Sequence, residues 1–193
     1  MELFKSITEA LKIWEIEYFG LYLTPLNQSE KNSYIWLDLN NPISTYVDSN
    51  QNQLKVTFSI KHFIANPAII SDDQVRYYFF TQTCIDIRQN KITVPPNVMP
   101  MLFALILQSQ IGDFSPKSKF PDYSESLMPN IPEKMKIKIQ QAHASLVGNS
   151  PSAAEIEFLN LAQHLPGYGQ IKYEVLVIFI PSNKNKSFHY INF

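Results

Sequence analysis

The chain has 193 residues, enough for one good hydrophobic core or two small ones, and its 45% apolar content is ordinary for a folded domain. Charged residues make up 17%, below the roughly 25% usual for soluble domains, so the surface is thinly charged and some faces are expected to be covered. A net charge of -1 excludes a global positive field for nucleic acid or anionic lipid, and the single cysteine, Cys84, excludes an internal disulfide or cysteine-rich zinc cluster and fits a reducing, cytoplasmic compartment.

The opening MELFKSITEALKIWEIEYFG lacks the basic start and continuous apolar stretch of a signal peptide. Leu3, Phe4, Ile7, Ala10, Leu11 and Trp14 recur at three- and four-residue spacing, which predicts an amphipathic helix over 3 to 16 with one buried stripe. Tyr18 to Thr24 then alternates and is rich in aromatics, Pro25 and a polar run interrupt it, and Tyr34 to Leu39 resumes, so a hairpin with a long loop is expected. In residues 53 to 63, Leu54, Val56, Phe58 and Ile60 alternate with Lys55, Thr57, Ser59 and Lys61, the pattern of a half-buried strand. Ala65, Asn66 and Pro67 mark the exit from this small α+β unit.

The second half is helical in pattern. Ser71 and Asp72 can cap a helix running to about Gln89, and Pro95-Pro96-Asn97 opens another over 98 to 111, with Pro100 in its first turn and Gly112 closing it. A loop rich in Pro, Ser and Lys covers 113 to 131. Further helices are expected over 132 to 147, ended by Gly148, and from Ser150-Pro151 to about Leu165. Four helices with polar connections form a compact bundle. The tail YEVLVIFIPSNKNKSFHYINF carries a six-residue apolar run at 175 to 180, far short of the ~20 residues a spanning helix needs. Its alternation is apolar on both faces, which suits a strand covered on both sides.

Candidate chemistry is sparse. Cys84 followed by Arg88 resembles a phosphatase nucleophile with its arginine, but the spacing is Cys-x3-Arg inside a predicted helix rather than a Cys-x5-Arg loop, so a buried structural cysteine is expected. His62, His143, His164 and His189 fall on separate elements without metal-site spacing. Nucleotide-binding and hydrolase loop motifs are absent from the sequence. Lys134, Lys136 and Lys138 interleave with Met135, Ile137 and Ile139; a solvated lysine face beside a buried stripe of Met135, Ile139, Ala142 and Leu146 explains the pattern, ahead of a lipid- or partner-binding helix. The reading therefore assigns no catalytic, cofactor-binding or metal-binding residue, expects no enzyme activity from this chain, and leaves the binding residues open.

Several phrases together resemble the FERM domain, the three-lobed module of band 4.1, ezrin-like proteins and certain non-receptor tyrosine phosphatases. They are IEYFGL (16 to 21) and IWLDLNNPI (35 to 43) in the first half. VRYYFFTQTCIDI (75 to 87), LQSQIGDF (107 to 114) and AHASLVGNSPSAAEIEFLNLAQHLPGYG (142 to 169) follow in the family's order and spacing. The resemblance implies an α+β chain of three parts. A partial ubiquitin-like lobe occupies 1–66 and a four-helix, acyl-CoA-binding-protein-like central lobe 70–169. A short β remnant of a PH-like third lobe, 170–193, completes it.

It also implies that the hairpin preceding the first helix is missing, and that the third lobe, which needs about 90 residues, is truncated. PGYGQIKYEV (166 to 175) and NKSF (185 to 188) resemble separated phrases of the phosphatase relatives, so their nearness suggests an internal deletion such as a skipped exon. The implied role is a non-catalytic scaffold or targeting module, cytoplasmic or peripheral at the plasma membrane or cytoskeleton, for membrane-protein tails or cytoskeletal proteins, with no cofactor, nucleic acid partner or transmembrane segment. The alternative is the targeting part of a tyrosine phosphatase whose catalytic domain lies elsewhere. Membrane-linking members carry lysines after Trp-Leu where this chain has Asp38, Asn40 and Asn41, which tells against phosphoinositide binding.

Overall fold

Phe4 and Thr8, one helical turn apart, are buried on the first helix, α1, which spans Glu2–Ala10. The computed structural model describes residues 2–23, 35–46, 54–115 and 131–170, together with the backbone of two short strands at 177–179 and 188–190. Helix α1 is shorter than the expected 3 to 16, and the reason is a C-terminal stop without glycine. Lys12 adopts φ 55°, Ile13 N–H reaches back to the Thr8 carbonyl at 2.9 Å, and Lys12 N–H reaches Glu9 at 3.1 Å. This is a Schellman arrangement, with Ile13 as its buried apolar lock. Trp14 is thereby thrown off the helical stripe and is 82% exposed, and Leu3 is exposed as well.

Strand β1 (Phe19–Leu23) is the middle of a three-stranded antiparallel sheet, with β2 (Ile35–Trp36) on one side and β3 (Val56–Ile60) on the other. The register pairs Tyr22 with Trp36 and Leu21 with Phe58, so the expected hairpin is present. Residues 24–34, its loop, lie outside the described residues. Both outer strands are shorter than the alternation suggested. Leu37 still donates to the Leu21 carbonyl at 2.8 Å, after which the turn at Asp38 ends pairing. At the other end Lys61 and His62 N–H groups both converge on the Tyr18 carbonyl, at 2.8 and 3.1 Å, which bends the chain out of the ladder.

Helix α2 (Asp73–Arg88) is capped as expected: the Asp72 carboxylate accepts from the N–H groups of Gln74 and Val75. Helix α3 (Met99–Ile111) is apolar around its whole circumference, and Leu102 to Leu107 are all buried, so it runs through the middle of the bundle. Gly112, with φ 77° and ψ −151°, ends it in a conformation essentially reserved for glycine.

Helix α4 (Glu133–Ala144) stops three residues before the expected end, because Ser145 and Leu146 N–H groups turn to the carbonyls of Ala142 and His143 in tighter i to i−3 bonds. Helix α5 (Pro151–Ala162) has Ser150 as its cap, the hydroxyl accepting from Ala153 N–H at 3.2 Å. Past Ala162 the chain continues to Leu165 in the same tighter turns. Most of the loop expected at 113 to 131 lies outside the described residues.

Phe158, Leu159 and Ala162 close the bundle, and Ile139, Ala142, Leu146 and Met135 form the apolar stripe of α4 and the turn after it, as the spacing indicated. The main core is continuous from Phe4 and Leu21 in the sheet part to Leu165 at the end of the helices. In the tail, β4 (Val177–Phe179) and β5 (Phe188–Tyr190) pair as an antiparallel hairpin. The molecule is thus α+β, a small sheet with one helix joined to a four-helix bundle among the described residues.

Candidate interaction surfaces and their support

The sheet and the bundle are fastened by rings. Phe58 of β3 stacks on Phe19 of β1 at 4.9 Å, and Tyr78 of α2 meets Phe19 edge-on at 5.6 Å. One residue further along α2, Phe79 is fully buried and receives Tyr18 and Phe63 edge-on at 5.6 and 5.5 Å. Edge-to-face pairs of this kind add roughly 0.5–1.5 kcal/mol each beyond area burial. A polar clasp lies beside them. The Glu15 carboxylate accepts from Ser71 N–H at 3.1 Å, Asp72 N–H at 3.2 Å and the Ser71 hydroxyl, while Trp14 N–H donates to Asp72 at 3.4 Å. Residues on both sides of the 60s connection are therefore held at fixed distance and angle.

The PGYG phrase docks on the turn between α2 and α3. Pro166 accepts from Thr93 N–H at 2.9 Å, and Tyr168 lies edge-on to Phe63 at 5.6 Å. Burial pushes the Tyr168 phenol up to about 12. The two phrases LQSQIGDF and AHASLVGNSP meet in a polar knot. Gln108, fully buried, donates to the Asp113 carboxylate at 2.8 Å and to the Asn149 carbonyl at 2.7 Å, and Gly148 N–H donates to the same carboxylate at 2.8 Å. His143 places Nε2 2.9 Å from the Gly112 carbonyl.

The Gln108 amide first, then Gly148 N–H, hold the Asp113 carboxyl below its usual range. A carboxyl lowered on folding contributes stability that is present above its unfolded value of about 3.9 and is lost as pH falls through the lower folded one. Asp113→Asn keeps the shape and removes the charge. It should lower the urea midpoint at pH 7 and flatten the acid limb of a midpoint-against-pH series below about pH 4; an unchanged acid limb would show that the knot does not carry this linkage.

The side chains that suggested chemistry are dispersed. Cys84 is half-buried on α2, packs against the main core, and its thiol is pushed up by burial first and by the Glu155 carboxylate second, the opposite of what a nucleophile requires. Arg88 stands at the exposed end of the same helix. His62 is exposed after β3, His143 is buried in the knot, His164 is exposed after α5, and His189 is on β5. Lys134 and Lys138 are exposed and Lys136 pairs with Glu133 at 2.8 Å, a solvated helix face.

Asp38 is the centre of an acidic turn: it accepts from Asn40 N–H at 3.0 Å and from the Asn40 and Asn41 side-chain amides at 3.1 and 3.3 Å, while its own N–H donates to the Tyr46 hydroxyl at 3.0 Å. This turn rims a shallow apolar cleft between α1 and the segment after β2, with Leu3, Leu39, Ile43 and Tyr46 on its walls. No helix among the described residues is long and apolar enough to cross a membrane. The Asp38 carboxylate is satisfied within its own turn, the Cys84 thiol is shut in and the cleft is apolar, in a module whose sheet and helices share one core.

The comparisons with known proteins give that module its family. The FERM N-terminal domain matches residues 1–49 and the FERM central domain matches residues 65–173, and the chain belongs to the FERM family. It is 32% identical over 161 residues to mouse tyrosine-protein phosphatase non-receptor type 4, covering 82% of this chain and 17% of that protein. It is 29% identical over 170 residues to human protein 4.1, covering 87% of this chain and 19% of the relative.

The chain thus spans about a fifth or less of these relatives. Among solved structures, the complex of the FERM and C-terminal domains of Drosophila Merlin superposes with a TM-score of 0.71 at 21% identity, covering 98% of this chain and 64% of that one. The C-terminal MyTH4-FERM domain of human Myosin 7b, solved with the harmonin-a PDZ3 domain, gives 0.64 at 18% identity, covering 92% and 40%. The FERM lobes are non-catalytic modules; the match over 1–49 holds α1, β1 and β2, and the match over 65–173 holds the helical part.

Proposed function

We infer that the chain is a non-catalytic scaffold or targeting module that links membrane-protein tails to the cortical cytoskeleton, working in the cytoplasm at the inner face of the plasma membrane. The observation that carries this reading is the fusion of sheet and bundle through Phe79 and its ring partners, which holds the two FERM lobes in one orientation. The lobes are assigned to 1–66 and 70–169, with 170–193 the strand-forming segment that follows them. Phosphoinositide binding is expected to be weak, because the turn that would need cations holds Asp38 with two asparagine amides folded onto it.

Two measurements test this. Co-sedimentation with phosphatidylcholine vesicles, with and without a phosphoinositide, should show little gain from the phosphoinositide; strong, salt-sensitive gain would overturn the head-group part of the reading. Limited proteolysis should leave a resistant core near 70 to 169 and remove the tail early, and equal protection of the whole chain would count against this division into lobes. The alternative, the targeting part of a tyrosine phosphatase, is favoured by the 32% identity to the non-receptor phosphatase. A transcript continuing into a Cys-x5-Arg loop decides for it.

A further inference from the structure

Three bonds of the polar clasp between sheet part and bundle end on one carboxylate oxygen. Glu15 Oε1 accepts from Ser71 N–H at 3.1 Å, from Asp72 N–H at 3.2 Å and from the Ser71 hydroxyl. The other oxygen, Oε2, is buried and has no hydrogen-bond partner among the described residues. Glu15 thus depends on its Oε1 donors, and one of them, the Ser71 hydroxyl, belongs to an exposed residue. Its surroundings are acidic. The Asp72 carboxylate accepts from Gln74 and Val75 N–H, which closes the start of α2, and from Trp14 N–H at 3.4 Å. Asp73 comes next and pairs with Arg76. Arg76 is buried and also donates to the Ile70 carbonyl at 3.3 Å and to the Ser152 hydroxyl at 2.9 Å, so this cation is already held.

Ser71 is also the one serine of the chain followed directly by two acidic residues, Asp72 and Asp73, and charge patterns of this kind are what kinases read in their substrates. We propose that Ser71 is a phosphorylation site and that its modification releases the clasp between the sheet part and the bundle. In the transfer the Ser71 oxygen attacks the γ-phosphorus of ATP, the bond from that phosphorus to the β-bridging oxygen breaks, ADP leaves, and the hydroxyl proton passes to the kinase. The product carries a charge of about −1.5 to −2 at pH 7 and, as the dianion, has no proton to give Glu15. A donor to Glu15 becomes an acceptor of like charge, with the Asp72 carboxylate on the other side, and the backbone bonds from Ser71 and Asp72 to Glu15 are strained apart. The rings around Phe79 are untouched, so the junction loosens on its polar side first. The proposal rests only on the joined sheet and bundle, whatever they bind.

The test starts from the folded full chain, incubated with magnesium, ATP and a purified serine kinase selective for acidic residues after its target. Mass spectrometry should place phosphate on Ser71. Amide exchange is then compared among the untreated chain, the phosphorylated chain and Ser71→Ala, with kinase-treated Ser71→Ala as the control for phosphate at other serines. Phosphate on Ser71 should speed exchange at Trp14, Ser71 and Asp72 roughly tenfold, the order set by like charges a few ångströms apart near a protein surface, and leave the amides of α3 as they were. Ser71→Ala removes one donor and adds no charge, so its effect at the same amides should be several times smaller. Raising the salt to about 1 M, where screening acts within about 3 Å, should restore most of the protection in the phosphorylated chain. No phosphate on Ser71, unchanged exchange, slower exchange as capture by Arg76 would give, equal loosening in Ser71→Ala, or loosening that salt does not reverse would each overturn the proposal.

Discussion

Phe79→Ala is expected to cost about 3–5 kcal/mol, the range for deleting a fully buried phenylalanine, and to do so unevenly. Phe79 is on α2 and has no exposed surface, but the rings against it, Tyr18 and Phe63, flank the sheet strands on the other side of the junction. Truncation leaves a cavity at a place where both lobes contribute side chains. Both tryptophans, Trp14 and Trp36, lie in the sheet part, whereas four of the five described α-helices lie in the bundle. Tryptophan fluorescence and far-ultraviolet circular dichroism therefore report different lobes.

In the parent chain the two urea curves should coincide, and in Phe79→Ala the fluorescence transition should move to lower urea ahead of the circular dichroism transition. Phe103→Ala is the control: Phe103 is buried against Leu107 and Ile139 on the far side of α3, so its loss should weaken the bundle without separating the curves in that order. A loss below about 1 kcal/mol for Phe79→Ala, or curves that stay superimposed, would mean that the rings fill space without joining the lobes.

The parts of this architecture that were readable from sequence are those whose signal is local. Asp72 and Ser150 announce helix starts because a short polar side chain before an apolar run has one favourable use, and both accept the expected N–H bonds. The burial of Ile139, Phe158 and Ala162 follows from helical spacing alone. The end of α1 was not readable, since the left-handed position is filled by Lys12 rather than glycine or asparagine. Only the tertiary burial of Ile13 makes that stop worthwhile.

The same limit applies to the surfaces. Asp38, Asn40 and Asn41 could be read as replacing cations, but not as a turn closed on itself, because that depends on Tyr46 arriving from eight residues away. The place of β1 between β2 and β3 was not readable either: an alternating strand has the same pattern at an edge as in the middle of a sheet, and sheet order is a property of the fold.

Gly167→Ala is expected to destabilise the chain by about 2–4 kcal/mol, more than a glycine-to-alanine change at a relaxed turn, because strain and collision act together. Gly167 has φ 98°, where a side chain is already costly, and an added Cβ would fall 2.1 Å from the Lys91 carbonyl oxygen and 3.1 Å from the Ile92 Cα. These are backbone atoms of the turn after α2, which is itself fixed by the Asp86 carbonyl accepting from Lys91 N–H at 2.9 Å, so no flexible side chain can yield instead. Relief requires the 166–169 segment to lift, breaking the 2.9 Å bond from Thr93 N–H to Pro166 and withdrawing Tyr168 from Phe63.

The phenol then reports the event. In the parent chain burial holds Tyr168 up to about 12; in Gly167→Ala its titration, followed by carbon NMR of labelled tyrosine, should fall toward the unperturbed value of about 10. Because Phe63 is also a ring partner of Phe79, the lifted segment loosens the lobe junction from its far end, and amide protection at Ile92 and Thr93 should drop before protection in α3. Full stability with an unshifted Tyr168 would place the PGYG phrase outside the machinery that holds the two lobes together.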